Sequence, residues 1–493
     1  MAGERRWFAP LGSPLLVWSL LAALTFLRLL VAAWSPVSAD EAYYWTWSHA
    51  LAPGYLDHPP MTALWIAAGT FLCGDTALGI RLLAPLAATL GTLLLAGACR
   101  DLLATPAAVA IRAAILLNAT LLLGVGAVTM TPDTPLLFFW TAALAAFGRV
   151  IATGRGAWWL AAGVAIGLAM DSKYTALLTA AGLPLWLLLT AAGRRWLFTP
   201  WPWLAAALAL LLFAPVLEWN AAHAWASFIR QGGRTGDWHP ARAVRYLAEL
   251  VGGQAGLATP IIFVLLVCGI GRLARRAAGP GETLLVAVTL PAALVFVQHA
   301  FGDRVQANWP GLLYPACAIA AAPIARRWGR AGAMLGFALT GLVYLQSVAA
   351  PLPLPRPLDV TLMRLAGWPA LAARAAAIAG PGVPLVADEY GLASELAFAG
   401  TGHAVLAAEP RWRLFTLPHP ALGSVRMLLV RSTKRKDAPD PLLFSDVGRL
   451  ATLDRGRPGR LAERYTLYRV TLRPGLPANL GTELALLPVP SRR

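Results

Sequence analysis

Charge is scarce in this chain. Only 13% of its 493 residues are Asp, Glu, Lys or Arg, against roughly 25% in a soluble globular protein. With 58% hydrophobic residues and a mean hydropathy of +0.61, that scarcity excludes an ordinary soluble fold and indicates a polytopic α-helical membrane protein. Cysteine is scarcer still. Cys73 and Cys99 fall near opposite ends of one apolar span and cannot reach disulfide distance. Cys268 and Cys317 lie inside apolar runs and suit packing. No Cys/His metal spacing occurs, so neither a metal nor another required cofactor is expected. Internal repeats and low-complexity tracts are also missing.

The net charge of +17 is not gathered into the continuous basic patch that a nucleic-acid binder needs. Much of it lies in short Arg clusters between apolar runs, which reads as membrane topology. Arg5, Arg6 and then Val37-Ser38-Ala39 resemble a cleavable signal peptide. The apolar stretch Ser13–Ala33 between them is long enough to span a bilayer, which favours an uncleaved first helix.

About eleven transmembrane helices are expected, from Ser13–Ala33 to Ala333–Ala350, several of them short enough to be tilted or broken. Third, sixth and eighth in this series are Pro106–Val128, Tyr174–Ala192 and Gly256–Gly271. Alternate connections carry Arg100, Arg149, Arg155, Arg194, Arg195, Arg272, Arg275, Arg276, Arg326, Arg327 and Arg330, which marks the cytoplasmic side. The other set holds nearly all the acids and histidines, including Asp40, Glu41, Asp57, His58, Asp133, Asp171, Lys173, Arg234, Asp237, Asp303 and Arg304. That set lies outside. An odd span count puts the C-terminus outside too.

The expected organisation is a transmembrane domain over 1–350 with an extended first outer loop at 34–76. A Pro-rich linker follows at 351–359, then a small soluble α/β domain at 360–493. In that last part Thr361–Ile378 reads as an amphipathic helix. Pro384–Ala387, Met427–Val430 and Tyr465–Leu472 read as strands.

Within the first outer loop, Ala39–Met61 places Asp40 and Glu41 directly after a span. Charges so close to the bilayer must face water, a partner or a site. As a pair they suit either a helix N-terminus or acid/base work. Tyr43, Tyr44, Trp45 and Trp47 suit an interfacial aromatic belt or a sugar platform. Asp57 and His58 precede two prolines that hold the backbone extended. Asp133 can cap the span that begins there. Lys173 is the only lysine of the membrane-embedded part, and it either snorkels or binds an anion. Arg304 neighbours Asp303 and reads as a surface ion pair or a phosphate contact. This inventory of carboxylates with cations fits a reaction with a base and an anionic leaving group.

In order, the chain carries ADEAYYW, YLDHPPM, TPDTPLLFFW, DSKYTALL, PVLEWNAAHAWASF and DRVQANWPG. This series resembles the bacterial glycosyltransferases related to protein O-mannosyltransferases and to the lipid A aminoarabinose transferase, which share the GT-C fold. It covers about Ser13 to Ala350, and ADEYGLASELAF extends it briefly into the C-terminal part. The resemblance implies transfer of a sugar from a polyprenyl-phosphate carrier to an acceptor on the periplasmic face of a bacterial inner membrane. The acceptor is a lipid A or lipopolysaccharide sugar, another glycan or a protein. Asp40 is then the general base of an inverting displacement, supported by Glu41 and Asp57. Lys173, Arg304 and His58 are expected at the donor phosphate, and Tyr44, Asp133, Tyr174 and Asn308 at the substrate. The lipid A branch has lysine at the position of His58, and an imidazole is uncharged for much of the time at neutral pH. Some members of that branch hold a metal, but no ligand spacing here calls for one.

Two other classes compete. A transporter or lipid flippase would carry ionisable groups within its spans and show internal repeats. A membrane-anchored sensor or assembly protein would do its work in the soluble part, where Asp388, Glu389 and Glu395 form no coherent catalytic group.

Overall fold

A computed structural model describes residues 14–232, 238–419, 424–476 and 478–490. Arg5, Arg6, Arg234 and Asp237 lie outside the described residues. Six helices are long and apolar enough to cross a membrane: Leu15–Trp34, Ala77–Leu103, Asp133–Thr153, Trp201–Ala222, Pro280–His299 and Arg327–Val348. Two pairs bend sharply, Ala176–Leu189 with Ala191–Leu197 by 94° and Pro240–Ala258 with Pro260–Arg276 by 107°. Counting each pair as one span gives eight among the described residues. Many large apolar side chains on these helices are exposed, Phe26, Leu211 and Leu294 among them, as a lipid-facing surface requires.

The expected count of about eleven is not reached by length and composition, because Ala107–Asn118, Trp158–Met170 and Trp309–Ala321 are shorter apolar helices, and three expected spans are also interrupted locally. The third expected span, Pro106–Val128, breaks after Asn118: the Thr120 hydroxyl accepts the Leu123 N–H and starts a new short helix. The sixth breaks at Thr190, whose extended backbone and hydroxyl cap the helix Ala191–Leu197. The eighth turns at Thr259, which sits at φ 67° ahead of Pro260, where proline disfavours a helical predecessor. Conversely, Met61–Cys73, read from sequence as part of the first loop, is itself a short apolar helix.

The chain forms two compact units. One contains the residues up to Leu30 with Asp57–Thr62 and Leu83–Leu342. Its core is a bundle interior of Leu136, Trp140, Leu144, Phe147 and the run Ala318–Ala322, all nearly inaccessible.

The other unit contains Val31–Leu56, Ala63–Leu82 and Val343–Arg493. It is built on a six-stranded sheet of β1 (Leu385–Ala387), β2 (Val405–Ala408), β3 (Arg426–Ser432), β4 (Phe444–Arg457), β5 (Arg460–Leu472) and β6 (Leu484–Leu486), in the order β4-β5-β3-β1-β2-β6. β1 pairs in parallel with β2 and β3, and the outer strands are antiparallel. β1 and β2 are buried throughout and short, which suits central parallel strands. The amphipathic pattern of Thr361–Ile378 becomes two helices, Val360–Leu365 and Trp368–Ala379. They part at Gly367, where φ is 81° and a Cβ would meet the Gly456 carbonyl at 2.5 Å, so only glycine fits.

The sequence reading assigned the first loop to the membrane domain. In the structure Ala39–Ser48 is a helix of the sheet-containing unit. It packs against the helix Tyr390–Phe398, which is the short C-terminal stretch of the resemblance. Gly391 lies so close to the loop helix that a Cβ there would stand 3.1 Å from the Ala39 Cβ.

Candidate active site

In the sheet-containing unit, Ser38 caps the loop helix. Its hydroxyl accepts the Glu41 N–H, and Glu41 Oε2 accepts the Ser38 N–H at 3.1 Å, closing a capping box. The adjacent acids then part. Glu41 is fully buried and receives Arg81 Nε at 2.6 Å on Oε1 and Arg81 Nη2 at 2.7 Å on Oε2. Arg81 is equally buried and donates further to the Ala32, Ser35 and Pro36 carbonyls and the Ser35 hydroxyl. This two-pronged pair satisfies a buried carboxylate almost completely. Glu41, expected beside the base, therefore stands as an internal strut in this unit.

Asp40, by contrast, keeps a side chain 47% exposed. The Tyr390 hydroxyl stands 3.5 Å from Oδ1 and Arg364 Nη1 3.9 Å from Oδ2. The two acids share one helix terminus, and only burial and Arg81 separate their roles.

The aromatic run does not form an outward-facing interfacial belt. Tyr43, Tyr44, Trp45, Trp47 and Tyr55 are all at most 9% exposed. Trp47 stacks on Tyr55 at 4.2 Å and Trp45 donates its indole N–H to Asp75 at 2.8 Å. Tyr44, expected at the substrate, packs edge-on to Trp47 at 4.8 Å. Such rings bury large apolar areas, and here they hold the loop helix to its own unit.

In the helical unit, three of the expected residues meet. Lys173, only 5% exposed, donates to Asp133 Oδ1 at 2.7 Å. Asn308 Nδ2 donates to Asp133 Oδ2 at 2.6 Å. Asp133 opens its helix, where a carboxylate is favoured by the dipole. Lys173 is placed by a tight turn after the helix Trp158–Met170, its N–H donating to the Ala169 carbonyl.

The same turn is tied to the second half of the first loop, because Met61 donates its N–H to the Asp171 carbonyl at 3.0 Å. Asp57 lies 3.8 Å from Arg230 Nε and its carbonyl accepts Gln231. His58 is half-buried next to it. Tyr174 shares a hydrogen bond with the Ser227 hydroxyl and faces Asn220. Four of the six sequence motifs, with the Asp57–Met61 part of a fifth, thus lie in one unit. Arg304 stands apart from the lysine cluster: it is exposed and pairs with Glu249 at 2.8 Å.

Sequence reading gave three groups no role: it passed over Arg81 and noted Asp171 and Glu395 without assigning them one. Arg81 had a signal, an arginine inside an apolar run. Asp171 is buried, and its Oδ1 has no hydrogen-bond partner among the described residues. Glu395, on the helix that packs against the loop helix, is 4% exposed. Burial holds its carboxyl well above the usual carboxylate range, against the opposing pull of Arg455.

Comparison with known proteins bears on the fold. The helical fold matches the crystal structures of ArnT from Cupriavidus metallidurans in the apo state (TM-score 0.61, 15% identity) and bound to undecaprenyl phosphate (TM-score 0.60, 14% identity). Both matches cover 92% of this chain and 98% of the other. The class is therefore a multi-pass membrane protein of GT-C fold.

Residues 57–219 match the family described as dolichyl-phosphate-mannose-protein mannosyltransferase. The chain is also 30% identical over 290 residues to the lipid A galacturonosyltransferase RgtD of Rhizobium johnstonii (strain DSM 114642 / LMG 32736 / 3841). That match spans 57% of this chain and 59% of the relative. The chain is thus similar to glycosyltransferases over part of its length and to the ArnT fold over most of it.

Proposed function

We propose that the chain transfers a sugar from a polyprenyl-phosphate carrier to an acceptor hydroxyl on lipid A, on the periplasmic face of the inner membrane. The likeness to a lipid A galacturonosyltransferase supports a hexuronic acid as the sugar. The likeness to a structure bound to undecaprenyl phosphate supports the carrier.

The observation that carries the reading is the division of labour between the two loop acids. Glu41 is locked by Arg81, whereas Asp40 keeps nearly half of its side chain accessible. An accessible carboxylate on a rigid helix suits a general base. In this reading Asp40 takes the proton of the acceptor hydroxyl and the hydroxyl oxygen bonds to the anomeric carbon. The bond from that carbon to the phosphate oxygen breaks with inversion. Polyprenyl phosphate leaves with the electron pair.

Lys173 is the phosphate partner. Its ammonium has three donors, and the bond to Asp133 uses one and fixes its direction. Asn308 holds Asp133 in turn. Asp57, His58 and Tyr174 belong to the same unit, whereas Arg304, paired with Glu249, stays a weaker candidate for the phosphate. Purified protein given undecaprenyl-phosphate galacturonate and lipid A should release undecaprenyl phosphate only when lipid A is present. Release that ignores the acceptor, or none with any polyprenyl-phosphate sugar, overturns the reading.

A further inference from the structure

The proposed base is contacted by a part of the chain 350 positions away in sequence. Tyr390 opens the helix Tyr390–Phe398 and points its hydroxyl at Asp40 Oδ1. Its ring is clamped. The Arg411 guanidinium lies 4.0 Å over one side of it, and the Tyr43 ring is 4.5 Å away. Arg411 is buried, anchored by Glu409 at 2.9 Å, and donates to the Tyr43 hydroxyl at 3.1 Å.

Tyr43 follows Asp40 by three positions on the loop helix, so the two share a face. The clamp that holds the Tyr390 ring is thus keyed to the turn that carries Asp40. A cation over an aromatic face is most effective when desolvated, as it is here. A second bond fastens the same two helices, from the Thr46 hydroxyl to the Ser394 hydroxyl at 3.4 Å.

We infer that Tyr390 is a positioning residue for Asp40. Its clamped hydroxyl donates to Oδ1 and sets the direction in which the carboxylate faces the acceptor. The inference rests on the reading of Asp40 as the base. At 3.5 Å the contact is long for a hydrogen bond, and catalytic hydrogen bonds of unliganded sites commonly tighten when substrate arrives. Arg364, 71% exposed and 3.9 Å from Oδ2, supplies an opposite charge without fixing a direction. The sheet-containing part of the chain then contributes directly to the chemistry.

The test uses full-length protein in nanodiscs, with undecaprenyl-phosphate galacturonate as donor and lipid A as acceptor. Tyr390→Phe keeps the ring in its clamp and removes only the hydroxyl. It should lower kcat about tenfold or more while the donor KM stays within about twofold and the melting temperature is unchanged. In an Asp40→Asn background the same change should have no further effect on the residual rate, because the group being positioned is no longer a base. Tyr390→Phe with wild-type kcat, while Asp40→Asn is inactive, overturns the positioning role and leaves the proposed function standing. An equal loss in both backgrounds also overturns it, in favour of a purely structural tyrosine. An active Asp40→Asn enzyme refutes the reading of Asp40 itself.

Discussion

At the loop helix and at the lysine turn, charge sits beside apolar helices, yet the two places handle it differently. On the loop helix Glu41 vanishes into a pair with Arg81, both side chains fully buried, while its neighbour Asp40 stays half accessible. At the lysine turn the charge is neither sealed nor open. Lys173 is almost buried, Asp133 is 18% exposed, and Asn308 ties the pair at an exposed edge. The first place separates a structural acid from an available one by burial. The second holds a nearly buried cation in a bond to Asp133 at a partly open edge. Identity of the residue type decides neither case; the partner does.

The largest effect should come from breaking the sealed pair. Arg81→Ala leaves Glu41 buried without its partner and should cost about 3–5 kcal/mol. The fall in melting temperature and in detergent-extractable yield measures it, and near-normal stability would mean that Glu41 is not sealed. Next comes the lysine turn. Lys173→Ala removes a charge-assisted contact of about 1.5–3 kcal/mol, so donor KM should rise about tenfold to a hundredfold with acceptor KM little changed. Donor-titration kinetics decide this, and an unchanged donor KM points to a structural lysine.

How much of this was legible beforehand differs between the two places. The order of motifs pointed to the fold, and the isolation of Lys173 in an apolar segment singled it out. The motif order ranked Asp40 above Glu41, but the burial of Glu41 was not legible, because it depends on an arginine 40 positions later in the chain, inside a run that read as one continuous span. The span count exceeded what length supports because Thr120 interrupts one apolar segment and Trp158–Met170 and Trp309–Ala321 are short helices, whereas Thr190 and Thr259 only bend theirs without changing hydropathy. In the sheet, β1, β3 and β5 showed as apolar or alternating runs. β4 did not, because most of its central residues are exposed. The aromatic run was misread as a membrane belt because burial against the helix Tyr390–Phe398 cannot be seen in local composition.

A smaller effect sharpens the comparison within the sheet-containing unit. Glu395 is buried and held neutral well above the usual carboxylate range. Its contribution to stability is complete below the unfolded glutamate value of about 4.3 and is lost as pH rises through the folded one. Wild type should therefore lose melting temperature as pH rises above about 4.3, and Glu395→Gln should flatten that slope while leaving the acidic end unchanged. Identical slopes would show that Glu395 ionises freely in place. The smallest effect belongs to the exposed pair Arg464–Asp454, joined at 2.6 Å on the outer strands. Arg464→Gln should leave the melting temperature unaltered, since exposed pairs are screened and entropically costly. A large drop there would blur the contrast with Arg81.

The central claim is that Asp40, and not its neighbour, is the base. Asp40→Asn is nearly isosteric and removes the proton acceptor, so undecaprenyl phosphate release in the presence of lipid A should fall by about a thousandfold or more, with the melting temperature of wild type. Release at the wild-type rate from well-folded Asp40→Asn protein would contradict the account.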